Sequence, residues 1–452
     1  MILLTFASSL PQKFIMKKMK VDMNNSQIIS NQWRNNQVFV KIAICLILIG
    51  FAFRFYFSSS IQISGFIDGD DDGKLPSPQQ LVVANFTLSD QSPVNNNRTH
   101  EGSTECDVFT GEWIRDATGP RYTNHTCNTI EPHQNCMKNG RPDSDYLYWR
   151  WSPTDCNLPP FDPKIFLNFM KNKSMAFIGD SISRNHVQSL LCILSQIEEA
   201  DEVYHDEEYR SKKWFFKSHN FTLSVIWSPF LTKANIYEDN DGHSMGPIEL
   251  HLDELDLIWA NQFDDYNHIM IAGGKWFMKT AIYYENATII GCHNCKNENI
   301  SEIEFEYAYR KSLRTVFDFF TKSNRKVNVL FRSITPDHFE NGEWNTGGYC
   351  NRTGPFKDGE IDVRDVDMIM RDVELEEFEN AKQVIKGLGL RLFDTTRLSL
   401  LRPDGHPGPY RVFHPFDGKE TDLKVQNDCL HWCLPGPIDW WNDIMMNLLL
   451  SG

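Results

Sequence analysis

Two short stretches hold residue types able to carry out acyl transfer. Gly179-Asp180-Ser181 follows an apolar run, Met175 to Ile178, and opens an amphipathic stretch. Near the C-terminus stands Asp428-Cys429-Leu430-His431. A serine hydroxyl, an imidazole to take its proton and a carboxylate to orient that imidazole together make an activated nucleophile. The strand-then-helix setting predicts Ser181 at a helix N-terminus, where free backbone N–H groups can hold a developing oxyanion. Gly179 would permit the tight turn before it. A Gly-Asp-Ser tripeptide is weak evidence alone, and a serine there also serves as a plain helix N-cap. Asp-x-x-His spacing is weaker still, since Asp265-Tyr266-Asn267-His268 repeats it. His268, however, begins an apolar strand-like run, which sets it at the N-terminal edge of a parallel sheet. Sites in such sheets form at the C-terminal edge.

Other candidates cluster around these. Arg184 and Asn185 follow Ser181 by one helical turn and can face the same cleft. Arg184 suits either a hold on donor or acceptor or an ordinary ion pair. Gly273-Gly274-Lys275-Trp276 follows a strand and offers a second turn for oxyanion binding. Cys292-His-Asn-Cys295 and Cys429 with Cys433 mimic zinc spacing, but neither has a convincing second pair, so no metal is expected. Disulfides at Cys429 and Cys433 would instead pin the loop that carries His431.

The elements positioning these residues read as α/β. Short apolar runs at Met175–Ile178, Leu223–Trp227, His268–Ala272, Val327–Phe331 and Leu390–Phe393 predict strands. Helical periodicity covers Arg184–Ile197, Glu302–Phe320, Glu374–Lys386 and Ile438–Leu450. Strands separated by helices predict a parallel sheet covered on both faces, spanning 161–452. Before it, residues 103–160 hold four cysteines among Trp, Tyr and turn residues. They read as a small disulfide-braced segment packed on the main domain.

The first 60 residues carry an address. Val38 to Phe57 is apolar enough to approach a bilayer span, with Lys41 and Arg54 snorkelling outward. Lysines and Arg34 flank it upstream and aspartates downstream, which predicts a cytosolic tail at 1–37 and a lumenal remainder. Translation from Met16 would give a shorter tail. Residues 58–102 read as a flexible, sugar-bearing stem. Of 11 cysteines, Cys45 lies in the apolar stretch; the ten beyond it suit an oxidising lumen, with pairings left open. Glycosylation acceptors stand at Asn85, Asn97, Asn124, Asn172, Asn220, Asn286, Asn299 and Asn351. A net charge of −15 argues against nucleic acid as the partner. The 12 tryptophans serve mainly as core, with some available as platforms for sugar rings.

Longer segments carry a resemblance. With Cys106–Trp113, Gly140–Asp143, Arg150–Pro153, Gly179–Asn185, Arg332–Gly348, Leu401–Pro407 and Asp428–Trp441, the chain resembles the plant trichome-birefringence-like polysaccharide O-acetyltransferases. The likeness runs from Cys106 almost to the end. It implies a GDSL/SGNH-hydrolase-like fold with Ser181 as nucleophile and Asp428 and His431 completing a triad. It also implies a Golgi membrane protein, single-pass type II, acetylating a cell-wall polysaccharide. Tyr283–Cys295 and Asn427–Asp439 look most like the xyloglucan-acetylating branch, which implies galactosyl hydroxyls as acceptors. Xylan or mannan acceptors, acetylester hydrolysis and a non-enzymatic wall-binding role stay open. No bound cofactor is expected, only an acetyl donor (acetyl-CoA or another carrier), with a donor-supplying membrane protein as an expected partner.

Overall fold

The computed structural model describes residues 106–451, apart from 238–244, 297–298, 324, 386–388 and 418–424. The expected tail, membrane stretch and stem, with Asn85 and Asn97, lie outside the described residues. Among the described residues, no helix is long and apolar enough to cross a membrane.

The strands are β1 (Gly111–Arg115), β2 (Trp149–Pro153), β3 (Ser174–Gly179), β4 (Asp201–His205), β5 (Lys212–Phe216), β6 (Phe221–Trp227) and β7 (Thr232–Asn235). They continue with β8 (Ile248–Leu255), β9 (His268–Ile271), β10 (Ala281–Glu285), β11 (Thr288–His293), β12 (Asn328–Arg332) and β13 (Gly389–Phe393). The main helices are α1 (Pro163–Phe169), α2 (Ser181–Leu194), α3 (Phe305–Lys322), α4 (Asp365–Val384) and α5 (Trp441–Leu450).

A seven-stranded sheet in the order β13-β12-β9-β3-β6-β5-β4 forms the centre. Its central strands, β3, β6, β9 and β12, are buried on both faces, because alternate side chains enter opposite cores. Met175 and Phe177 join one core, with α2, α5 and Trp113 and Trp151 of the N-terminal segment. Ala176 and Ile178 join the other, with α3, α4 and residues of a second sheet.

The sheet is mixed, which corrects the all-parallel expectation. The five strands foreseen from sequence, β3, β6, β9, β12 and β13, are the parallel ones. β5 and β4 continue the sheet antiparallel. Only a single turn, Lys217–His219 followed by Asn220 at φ +46°, separates β5 from β6. That is too short for a parallel crossover. The second sheet, β11-β10-β8-β7, was likewise not foreseen.

The N-terminal segment forms the antiparallel pair β1–β2 and is fastened at several points. Cys106–Cys156 closes it on itself, Cys127–Cys192 ties it to α2, and Cys136–Cys433 ties it to the loop after His431. The Trp113 indole donates to the Leu398 carbonyl at 2.9 Å, and Tyr122 donates to Asp439 at 2.6 Å. Asn172, Asn220, Asn286, Asn299 and Asn351 are exposed and Asn124 is half-buried.

Candidate active site

β3 delivers Ser181 to the C-terminal edge of the sheet as the first residue of α2. Asp180, not Ser181, is the N-cap: its carboxylate accepts from the Ile182 N–H at 3.0 Å. Gly179 sits at φ +152°, and a Cβ there would lie 2.5 Å from the Ala272 carbonyl oxygen and 2.7 Å from Ser183 Oγ. Both the strand end and the turn therefore require glycine. Gly179→Ala is expected to cost about 3 kcal/mol or more, read as a lower urea midpoint at unchanged slope.

Asp428 and His431 lie together in the loop before α5. Asp428 Oδ2 is 2.8 Å from His431 Nδ1, while Oδ1 accepts from the N–H groups of Leu430 (3.2 Å) and His431 (3.0 Å). Burial alone would raise the Asp428 carboxyl; the charge and hydrogen bonds of His431, with Arg411 nearby, hold it far below the usual carboxylate range. The other ring nitrogen, Nε2, is buried and makes no hydrogen bond to the protein. Disulfides Cys350–Cys429 and Cys136–Cys433 bracket the loop.

Asn185 couples the two halves. One turn beyond Ser181, its Oδ1 accepts from the Trp432 N–H at 2.7 Å and its Nδ2 donates to the Trp432 carbonyl at 3.3 Å. The serine-bearing turn of α2 is thus bonded to the residue following His431. Arg184 is half-buried, with its guanidinium carbon 5.0 Å from the Trp227 ring centre and Nε unpartnered. Gly273 and Gly274 follow β9, the hydrogen-bonded neighbour of β3, so they share the edge with Ser181. His268 opens β9 at the opposite edge, as its place in the sequence required, beside Asn328.

Family comparisons agree with this architecture. Residues 158–448 match the GDSL/SGNH-like acyl-esterase family found in Pmr5 and Cas1p, and residues 104–157 match the PMR5 N-terminal domain. The chain belongs to this family. Protein trichome birefringence-like 25 of Arabidopsis thaliana is 51% identical over 429 residues, covering 92% of this chain and 94% of that protein. Protein trichome birefringence-like 26 of the same plant is 52% identical over 418 residues, 92% of this chain and 88% of that protein. Xyloglucan O-acetyltransferase 1 is 38% identical in Arabidopsis thaliana (94% of this chain, 98% of that protein) and 41% identical in Populus trichocarpa (83% and 88%).

Beyond its sheet-edge residues, this family member contributes side chains that sequence reasoning missed. His133, from the N-terminal segment, sets its ring centre 6.2 Å from that of His431, edge to face. Burial, aided by His431, pushes His133 down to about 4, so it is a neutral neighbour of the loop at neutral pH. Glu131 lies 3.8 Å from it. No local pattern marks Glu131-Pro-His133; the signal is the Cys136–Cys433 link, a pairing the sequence leaves open.

Arg332 is the second omission. Fully buried at the end of β12, it stands 3.8 Å from Asp180 and donates to Thr335 at 2.8 Å. Behind it, buried Glu374 accepts from the Ile334 N–H at 2.8 Å and from Tyr309. Burial pushes Glu374 up to about 8. A raised carboxyl contributes stability that is full below the ordinary value and is lost as pH rises through the folded one. Glu374→Gln keeps the shape without titrating. Wild-type stability should therefore fall relative to this variant between about pH 4.5 and about pH 8. The slope is at most about 1.4 kcal/mol per pH unit, followed by unfolding across that range.

Proposed function

We propose that this chain is a polysaccharide O-acetyltransferase working through an acetyl-Ser181 intermediate. The observation that carries the reading is the oriented imidazole, its Nδ1 held by Asp428 and its Nε2 without a protein partner, on a loop bonded to the serine-bearing turn. His431 Nε2 takes the Ser181 proton as Oγ attacks the acetyl carbonyl of the donor. The tetrahedral intermediate collapses, and the donor's leaving group departs with that proton. A sugar hydroxyl then gives its proton to His431, attacks the acetyl-serine carbonyl and expels Ser181, which recovers the proton. N–H groups at Ser181 and in the Gly273–Gly274 turn are the oxyanion donors in this scheme. No resident cofactor enters; acetyl-CoA or another acetyl carrier supplies the group, delivered by a membrane protein where the donor pool lies outside the lumen.

The setting in this reading is the Golgi membrane, single-pass type II, with the catalytic domain lumenal. Five disulfides and exposed glycosylation acceptors support an oxidising, glycosylating compartment. The acceptor is a cell-wall polysaccharide. The likeness of segments 283–295 and 427–439 to the xyloglucan-acetylating branch supports galactosyl hydroxyls of xyloglucan as the acceptors. The alternative acceptor is mannan or xylan: proteins named for xyloglucan stand at 38–41%, and the relatives at 51–52% bear names that specify no acceptor.

One assay tests the activity and its acceptor. The protein is incubated with an acetyl donor and xyloglucan, mannan or xylan oligosaccharides, and products are weighed by mass spectrometry. A gain of one acetyl mass on a single class of oligosaccharide supports the proposal and names the acceptor. Release of acetate from pre-acetylated polymer, with no transfer in any arm, would replace it with an esterase.

A further inference from the structure

Three hydrogen bonds run through two buried imidazoles behind the His431 loop. His406 Nδ1 lies 2.7 Å from the His431 carbonyl oxygen, and His406 Nε2 lies 2.7 Å from His338 Nδ1. His338 Nε2 lies 2.8 Å from the Leu400 carbonyl oxygen. A carbonyl oxygen only accepts, so both outer nitrogens must donate. Two neutral imidazoles bring two N–H protons. With both directed at the carbonyls, the inner contact sets two bare lone pairs against each other at 2.7 Å. With one moved inward, a bare nitrogen faces a carbonyl oxygen instead. Three contacts need three protons.

We propose that His338 and His406 share one extra proton and act as a buried cationic pair that fixes the His431 carbonyl, and with it the base. The positioning role rests on the reading of His431 as general base; the proton count does not. These two residues touch the loop at two further points: the His338 backbone N–H donates to the Cys429 carbonyl at 2.9 Å, and the His406 ring stacks on Trp432 at 4.4 Å between ring centres. Displacing the His406 ring therefore disturbs both the His431 carbonyl and Trp432 beside it, and the His338 ring sets where the His406 ring sits.

The surrounding charges decide whether such a cation can persist. Burial pushes both imidazoles down, and with His338 beside it His406 falls to about 3, so the third proton must be held by the contacts themselves and by the carboxylates around the pair. Against it, Asp337 and Asp404 face His338, with Arg364 opposing them, and Asp428 and Asp337 face His406. Arg141 donates to the His406 carbonyl at 2.9 Å. Asp404 is matched by Arg402, while Asp337 and Asp367 are matched by Lys275 and Arg364. Asp428 has Arg411 nearby but, among the described residues, pairs directly only with His431, which must be uncharged to act as a base. The single positive charge of the imidazole pair answers that carboxylate.

The test combines a proton count with two substitutions in the full chain. Ring nitrogens of ¹⁵N-histidine protein are read by NMR near neutral pH and assigned with His338→Asn and His406→Asn. Three N–H protons on the pair are expected; two, as a pair of neutral tautomers, would overturn the proposal. This count holds even if no transferase activity is found, so the two readings fail separately. In kinetics, His338→Leu should lower kcat about 100-fold with KM nearly unchanged, since the base is misplaced. His338→Asn offers His406 a neutral N–H donor, satisfies both remaining contacts without a charge and should recover most of that loss. Equal losses in the two variants would overturn the positioning role. Should neither variant fold, the wild-type count alone decides.

Discussion

Alanine at position 181 is expected to reduce acetyl transfer by about 10⁴-fold or more while leaving the fold intact. The separation of the two effects follows from the capping geometry. If Ser181 were a structural N-cap, its loss would cost about 1 kcal/mol and shift the melting temperature. Here the cap is Asp180, which accepts the Ile182 N–H, and Ser181 is the first residue inside α2. Alanine is at least as good a helix former at that place. The experiment pairs transfer kinetics and acetyl labelling of the enzyme with thermal unfolding. Loss of both transfer and labelling at unchanged stability is the expected result. Retained transfer would remove the covalent intermediate, and a large fall in melting temperature would return Ser181 to a structural role.

What could be read ahead of the structure depended on how local the signal was. Four of the five parallel strands announced themselves because they are buried on both faces and therefore mostly apolar, as Met175–Ile178 shows, while the edge strand β13 was marked by Leu390, Leu392 and Phe393. The antiparallel additions were hidden for the opposite reason. β4, Asp201–His205, is exposed along its whole length and carries two acidic residues, so it has no hydrophobic period to detect. β8, Ile248–Leu255, does alternate, with Ile248, Leu250 and Leu252 buried, yet its partners β7 and β10 come from separate hairpins. α2 and α5 were legible from their apolar stripes. The α2 start fell three residues earlier than the stripe, at the serine itself.

The same division governs the site. Ser181, Asp428 and His431 stand in short motifs with a chemical rationale, and Asn185 was near enough to be caught with them. Its actual task, bonding α2 to Trp432, depends on a contact across 247 residues of sequence. His133 and the His338–His406 pair are further still from any local pattern. They reach the loop only because disulfides and buried side chains fold the N-terminal segment and the stretches after β12 and α4 around it. Arg332 looked like one residue in a longer similar segment; its burial against Asp180 is what gives it a role.

Asp428→Asn is the sharper probe of the imidazole. The amide oxygen can still accept from the Leu430 and His431 N–H groups, so the loop keeps its shape. The other arm is reversed: where Oδ2 accepted from Nδ1 at 2.8 Å, an NH₂ group now donates to it. The ring must then carry its proton on Nε2, the nitrogen that needs to be bare to deprotonate Ser181 or a sugar hydroxyl. A loss of about 10³- to 10⁴-fold in kcat follows, with transfer and hydrolysis falling together because both use that nitrogen. Stability supplies an independent check with a defined sign. Asp428 is held below its ordinary value of 3.8 in the folded chain, so its contribution is present above that pH and is lost as pH falls toward the folded value. Wild type should therefore exceed the asparagine variant in stability at neutral pH, and the gap should close as the solution is acidified below about pH 4. A gap that stays constant into acid would mean that Asp428 is not ionised against His431, and the orientation of the base would need another cause.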